Sequence, residues 1–421
     1  MKFIHAGDVH LDSALAGLSA HEDAPLDLLR SATRRAFTNL IDRAIAERVA
    51  FVLFPGDLFD TGWRDFETGI FFMGQIARLH EAKIDAYVLR GNHDADEDMI
   101  RALVPPPNLH LFASDAPQTF HTEVEGLRVA LHGQSFKRAD IADNLAAGYR
   151  PAEGCFNIAL LHTALGGGYS EHEDYAPCSL DELQNKGMHY WALGHVHEHA
   201  VLSAKPYVCF SGNAQGRHVR EPGARGALLV TVKHGIVQPP ERLFVDVLRW
   251  QHLAVDVGGA ATMDEAMGRV GAAFGVALDT ADNRPVAARV SLTGKTAVHR
   301  ELTGQPRMLR QNVQAQAMYK DPKNLWIEKI EVATAPPRDA AAIAARADGI
   351  ADLQTLLAEA ATDTDFIESL TRDFGPMLNK LPREAFVDRD VLTLARVAAN
   401  DFAPLIAEAI PSLLNRVEQE G

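Results

Sequence analysis

Phe51-Val52-Leu53-Phe54-Pro55-Gly56-Asp57-Leu58-Phe59-Asp60 is the stretch that decides the fold. A short apolar run meets a glycine and then a carboxylate, the pattern of a buried strand ending in a tight turn that carries a polar group. The same order recurs along the first half of the chain. Phe3-Ile4-His5-Ala6 leads into Gly7-Asp8-Val9-His10, and Ala86-Tyr87-Val88-Leu89 into Gly91-Asn92-His93-Asp94. Leu161-His162-Thr163 and Gly194-His195-Val196-His197 complete the set. Phe71 to Leu79 has helical period, so residues 1 to about 245 alternate strands with helices. Residues just beyond the strands of an α/β sheet gather at one edge, where ligands bind. The five polar clusters are therefore expected to converge on one site.

The residue types in those clusters suit a dinuclear metal centre. Carboxylate, amide oxygen and imidazole together favour an ion of intermediate hardness such as Mn²⁺, Fe²⁺ or Zn²⁺, with Mn²⁺ the first choice. Two ions about 3.5–4 Å apart need a bridging group, and Asp57 is the candidate. Asp8-Val9-His10 and His195-Val196-His197 each hold two donors at alternate positions, which an extended strand end points to one side. A single Asp-X-His or His-X-His would be weak evidence; five clusters, each behind an apolar run, are not.

The set Asp8/His10, Asp57, Asn92-His93, His162 and His195/His197 resembles the calcineurin-like metallophosphoesterase superfamily. Asp8-Val9-His10-Leu11-Asp12-Ser13 and Gly56-Asp57-Leu58-Phe59-Asp60 are similar to the SbcD and YhaO branch of DNA repair exonucleases. The resemblance implies a four-layer α/β fold, a β-sandwich flanked by helices, with a small α/β capping domain and a helical C-terminal region. It implies one ion on Asp8, His10, Asp57 and His197, and another on Asp57, Asn92, His162 and His195. His93 would stand beside them as the catalytic group that orients or protonates the phosphate, with Asp94 holding its imidazole. Metal-bound hydroxide would attack phosphorus in line. Several members of this branch carry histidine at the position of Asp60, so the role of that histidine does not transfer. Gly212-Asn213-Ala214-Gln215-Gly216-Arg217-His218-Val219-Arg220 resembles a YhaO-like pattern whose basic side chains would line the substrate groove, and it reads equally well as a glycine-rich turn with exposed charges. It stays outside the core site, as does His132.

Working outward, the 421 residues divide into an expected nuclease domain over 1–245, an α/β cap over 246–335 and a helical region over 336–421. Strands are expected at Leu253–Val257, Ala287–Leu292 and Leu325–Val332, with helices near Met263–Phe274 and Arg307–Tyr319. Ala335-Pro336-Pro337 reads as a linker. The net charge of −15 argues against polyanion binding over the whole surface. Residues 281–330 nevertheless hold nine Lys or Arg against four acids, a local basic stretch suited to phosphate contact. Residues 351–421 carry thirteen acids against six bases, which suits a protein partner better than DNA. Cys155, Cys178 and Cys209 lack zinc-knuckle or redox spacing. No apolar run approaches a membrane span of roughly 18 residues, and the first residues do not read as a secretory signal, so a cytoplasmic location is expected.

The function expected from all this is a metal-dependent phosphodiesterase, a DNA exonuclease or endonuclease subunit working with an SbcC-like coiled-coil ATPase; the family resemblance also suggests a homodimer. A small-molecule or cyclic-nucleotide phosphodiesterase shares the motifs but usually lacks the added domains. A metal-free scaffold should have lost ligands, and none is missing. A serine/threonine phosphatase would carry an arginine soon after the second motif, where this chain has Asp60-Thr61-Gly62.

Overall fold

The computed structural model describes residues 1–15, 26–60, 66–95, 104–166 and 175–337, with 356, 359–360, 363–378, 396–397, 401–406 and 409. Strands β1 (Lys2–His5), β2 (Phe51–Pro55), β3 (Asp85–Leu89) and β4 (Leu109–Leu111) run parallel. Helix α1 (Leu26–Glu47) lies between the first two in sequence and α2 (Phe66–Glu81) between the second and third. Every residue of β2 is buried, as expected for a parallel strand covered on both faces.

A hairpin starts the second sheet: β5 (Gln118–Val124) and β6 (Leu127–Gly133) are joined by Glu125 and Gly126, both at positive φ, the geometry a two-residue hairpin turn demands. β7 (Phe156–His162), β8 (Tyr190–Gly194), β9 (Ala200–Ala204) and β10 (Tyr207–Phe210) follow, giving the order β5-β6-β7-β8-β10-β9. β11 (Gly226–Lys233), β12 (Ile236–Val237) and β13 (Glu241–Phe244) return to the first sheet, where β11 pairs antiparallel to β1.

Three apolar layers hold these elements. Phe3, Phe51, Leu53 and Tyr87 meet Val129, Leu131, Ile158 and Tyr190 between the sheets. On the outer face of the first sheet, Ile4, Val52 and Phe54 pack with Phe37 and Leu40 of α1 and with Phe72 and Ile76 of α2. On the outer face of the second, Leu161, Trp191 and Leu193 pack with Tyr149 and Leu183. The expected four-layer sandwich follows directly from strands that are apolar on both faces. Phe54→Ala would empty a fully buried site beside Phe37 and cost about 3–5 kcal/mol.

A smaller three-stranded sheet has the order β14 (Arg249–Asp256), β15 (Val286–Lys295), β16 (Leu325–Ala335). The expected helices are present at Met263–Thr280 and Pro306–Lys320. By internal contacts the chain forms two compact units. One holds Met1–Val255, Ala266–Leu292 and Gln305–Val332; the other holds Asp256–Glu265, Thr293–Gly304 and Ala333–Gly421. In the C-terminal region the described residues include a helix at Thr364–Leu378, and most of the expected helical stretches there lie outside the described residues. Among the described residues no helix is long and apolar enough to cross a membrane.

Candidate metal centre

The loops after β1, β2, β3 and β8 and the last residue of β7 form the site. Beyond its strand, the chain after β1 keeps pairing with the chain after β2: Asp8 N–H donates to Gly56 O at 3.3 Å and His10 N–H to Asp57 O at 3.0 Å. This registers Asp8 and His10 beside Asp57. Asp8 (φ 51°), His10 (46°), Asp57 (51°) and His195 (99°) all adopt positive φ. Such backbone in residues other than glycine costs of order 1–3 kcal/mol each and concentrates at functional sites. Gly91 is needed for clearance, because a Cβ there would run into the Asp57 carboxylate and the His162 ring.

Two clusters result. The ligating atoms of Asp8, His10 and His197 lie within 4.8 Å of one another, as do those of Asp57, His162 and His195. Asp57 stands between them, with Oδ2 3.4 Å from His162 Nε2 and 3.9 Å from His10 Nε2. Asn92 Oδ1 is 2.8 Å from His162 Nε2 and 3.3 Å from His195 Nδ1. All seven predicted donors are thus brought together.

Three observations fit these residues to a pair of divalent cations. Asp8 Oδ1 accepts the His195 N–H at 2.8 Å, but Asp8 Oδ2 is buried with no hydrogen-bond partner among the described residues. His10 Nδ1 lies 3.2 Å from Asp60 and His197 Nδ1 2.7 Å from Glu221, so each carboxylate draws the ring proton to Nδ1. The two Nε2 lone pairs then face each other at 3.1 Å, an arrangement a cation between them would stabilise. His162 is held the same way, with Nδ1 3.0 Å from Pro55 O, which turns Nε2 toward Asn92 and Asp57. Oxygen and imidazole donors without thiolate suit Mn²⁺, Fe²⁺ or Zn²⁺.

Protonation in the chain by itself follows the same geometry. Burial lowers His10 to about 4 and His197 to about 3, so both rings are neutral and ready as ligands near pH 7. Burial works against charging His162, but the adjacent Asp57 carboxylate outweighs it and raises His162 to about 9. Burial would likewise raise Asp57, yet His162 holds it well below the usual carboxylate range. Asp8 is raised by burial to about 7.

The carboxylate beside His93 is Asp60 and not the expected Asp94. Asp60 Oδ1 is 3.0 Å from His93 Nδ1. Asp94 instead accepts the backbone N–H groups of Leu58 and Gly91, tying the second and third loops together. The physical reason is its depth: Asp94 is only 2% exposed and sits under the loops, where their N–H groups need an acceptor. Asp60 also holds His10, so one side chain braces a cluster histidine and the catalytic candidate.

Glu221 and Arg217 were not in the expected site. Glu221 Oε1 takes His197 Nδ1, while its Oε2 accepts the Arg217 N–H at 2.7 Å and Asn213 Nδ2 at 2.8 Å. Arg217 lines a cleft with Asp57, Asn92, His93, Tyr175, His195 and His197. The signal was the Gly212–Arg220 cluster, but a glycine-rich turn reads the same until its side chains are placed. His132 lies apart from the centre, at 2.8 Å from Thr119 and 2.9 Å from Asn157 within the second sheet.

The basic stretch 281–330 is less available than its count suggests. Arg289 forms a bidentate pair with Glu328 at 2.8 Å for both bonds, and Arg284 bonds Asp246 and Asp282. These two arginines are committed within the fold.

Two stacked sheets presenting paired carboxylate–imidazole clusters around a shared aspartate have the layout of a dinuclear metal site. Sequence comparisons agree: the calcineurin-like phosphoesterase family model matches residues 1–199, and that of the metallophosphoesterase YhaO middle domain matches 250–335. Residues 1–199 thus resemble the calcineurin-like metallophosphoesterases and 250–335 the YhaO middle domain, with a more distant likeness to Mre11 proteins. It is 38% identical over 266 residues to an uncharacterized metallophosphoesterase YhaO of Bacillus subtilis, covering 62% of this chain and 65% of that protein. It is 27% identical over 214 residues to the DNA double-strand break repair protein Mre11 of Methanopyrus kandleri, covering 47% and 44%. The matches thus span less than two thirds of the length of these curated relatives. A dimetal phosphatase from Danio rerio overlaps 58% of this chain and 97% of its own at 10% identity and a TM-score of 0.34.

Proposed function

We propose that this protein is a two-metal phosphodiesterase that cleaves DNA, as the nuclease subunit beside a coiled-coil ATPase of the SbcC type. The observation that carries the hydrolytic reading is Asp57 standing between two clusters of buried donors, with Asp8 Oδ2 and two facing imidazole nitrogens placed to receive a cation. Support for DNA as substrate comes from the distant likeness to Mre11 proteins. In this reading residues 1–245 carry the chemistry, 246–335 cap it and 336–421 dock the partner.

Bound divalent ions would supply Lewis-acid charge at the phosphate and a water made acidic enough to react near neutral pH. Asp8, His10, Asp57 and His197 would hold one ion, and Asp57, Asn92, His162 and His195 the other. The chain's own contribution is orientation. Asp60 on Nδ1 assigns His93 Nε2 to the phosphate or the departing oxygen, and it favours the protonated ring against the opposing effect of burial. The test is cleavage of end-labelled single- and double-stranded DNA by the purified chain with Mn²⁺, beside the Asp57→Asn variant. Metal-dependent cleavage lost in the variant is expected; hydrolysis of bis-p-nitrophenyl phosphate without any DNA cleavage, even with the ATPase added, would move the assignment to a small-molecule phosphodiesterase.

A further inference from the structure

Among the described residues, Arg217 is the one cleft-lining cation that the chemistry above does not use. Its backbone N–H and its Nη2 are anchored on Glu221, at 2.7 and 3.3 Å. Its Nη1 is differently placed: the nearest carboxylate is Asp60 Oδ1 at 3.8 Å, an ion-pair distance without a hydrogen bond. The side chain is 14% exposed, and it opens into the same cleft as Asn92, His93 and His195. A guanidinium fixed at one edge with a donor edge left toward a polar cleft is built to take an anion.

Its depth says which anion. Nη2 lies 3.2 Å from His197 Nδ1, the ring nitrogen remote from the one that faces His10. Arg217 Nη2 is therefore set back by one imidazole from the cluster atoms, a position suited to a group next to the one the clusters would hold. Asp60 and Glu221 flank the guanidinium and oppose any anion on their side, so an anion meets Nη1 from the cleft side, where a phosphodiester substrate would supply phosphate.

We propose that Arg217 is a specificity-determining residue that binds a second, non-reacting phosphate of the substrate, so that a nucleotide unit with a neighbouring phosphate is preferred over an isolated phosphodiester. This rests on the phosphodiesterase reading above and adds a selection within it. The competing role is purely structural, with Arg217 bracing Glu221 and through it His197.

The experiment compares thymidine 3′,5′-bisphosphate with thymidine 5′-monophosphate by calorimetric binding to the full chain loaded with Mn²⁺. In parallel, turnover of thymidine 5′-p-nitrophenyl phosphate is compared with that of the same ester bearing a 3′-phosphate. Both are repeated with Arg217→Gln and Arg217→Lys, with bound metal counted in each protein. Wild type should favour the two-phosphate compound by about ten- to a hundredfold, the range of a charge-assisted hydrogen bond. Arg217→Gln should bring that ratio close to one at wild-type metal content, with partial recovery in Arg217→Lys. Equal losses for both compounds, or a ratio unchanged by the substitution, would overturn the proposal, as would loss of metal from Arg217→Gln, which marks a brace. Absence of turnover in wild type with the binding preference intact would count against the phosphodiesterase reading and leave the phosphate site standing.

Discussion

Replacing Asp60 by Asn removes one negative charge and leaves every contact sterically possible. Asp60 Oδ1 serves His93 Nδ1 at 3.0 Å and His10 Nδ1 at 3.2 Å, so one oxygen supports the proposed catalytic imidazole and a cluster imidazole together. Hydrogen bonds to a charged group contribute about 1.5–3 kcal/mol each, and the Asn carbonyl keeps part of both. With the Asp60 side chain 26% exposed, water screens some of the rest. A net loss of about 2 kcal/mol, roughly thirtyfold in kcat at saturating Mn²⁺, follows. The pH profile carries the sign. Burial opposes protonation of His93, but the Asp60 bond raises its pKa above the ordinary value. Removing the carboxylate lowers that pKa, so the limb on which activity is lost with rising pH moves to lower pH. The assay is bis-p-nitrophenyl phosphate hydrolysis from pH 5 to 10 with metal content measured in parallel. A variant with wild-type kcat and an unmoved alkaline limb would refute the positioning role.

Further outcomes follow from the same geometry. Glu221→Gln weakens the brace on His197 and should cost about ten- to a hundredfold in metal affinity by calorimetry, the usual scale for a partner behind a ligand. Gly91→Ala drives a methyl group into Asp57 and His162 and should abolish metal binding while the far-ultraviolet circular dichroism stays native. Metal affinity should rise with pH between about 6 and 9, because Asp8 near 7 and His162 near 9 must lose protons to bind a cation; calorimetry in buffers of different ionisation enthalpy should show proton release at pH 7. Asp12→Ala removes a carboxylate that takes Arg34 Nε and Nη2 at 2.6 Å each and the Thr68 hydroxyl, clamping the first loop to α1 and α2. It should destabilise the fold by about 2–3 kcal/mol in thermal unfolding.

The strands and the primary donors were legible because their signals are local: an apolar run and then a polar residue five times over, with a glycine between them in four. Asp57 could be singled out because a carboxylate bridges best, and it stands between the clusters. What sequence could not supply was pairing across the chain. Asp60 and Asp94 are equivalent on paper, each three or fewer residues from a motif residue, and only burial separates them: Asp94 lies under the loops, whereas Asp60 reaches His93 and His10. Glu221 follows His197 by twenty-four residues and finds it only through the turn at Gly212, whose φ of 75° lets the chain pass close to His197 O. The basic count over 281–330 overstates the free charge for the same reason, since Arg289 and Arg284 point at acids that a local tally cannot place.

The measurement closest to the centre of the account is the number of divalent ions bound per chain, with Asp57→Asn alongside. Calorimetric titration with Mn²⁺, checked by elemental analysis, should give two equivalents for the wild type and fewer than one at the same free metal for the variant. A single equivalent in the wild type, or two in both proteins, would contradict a dinuclear centre shared through Asp57.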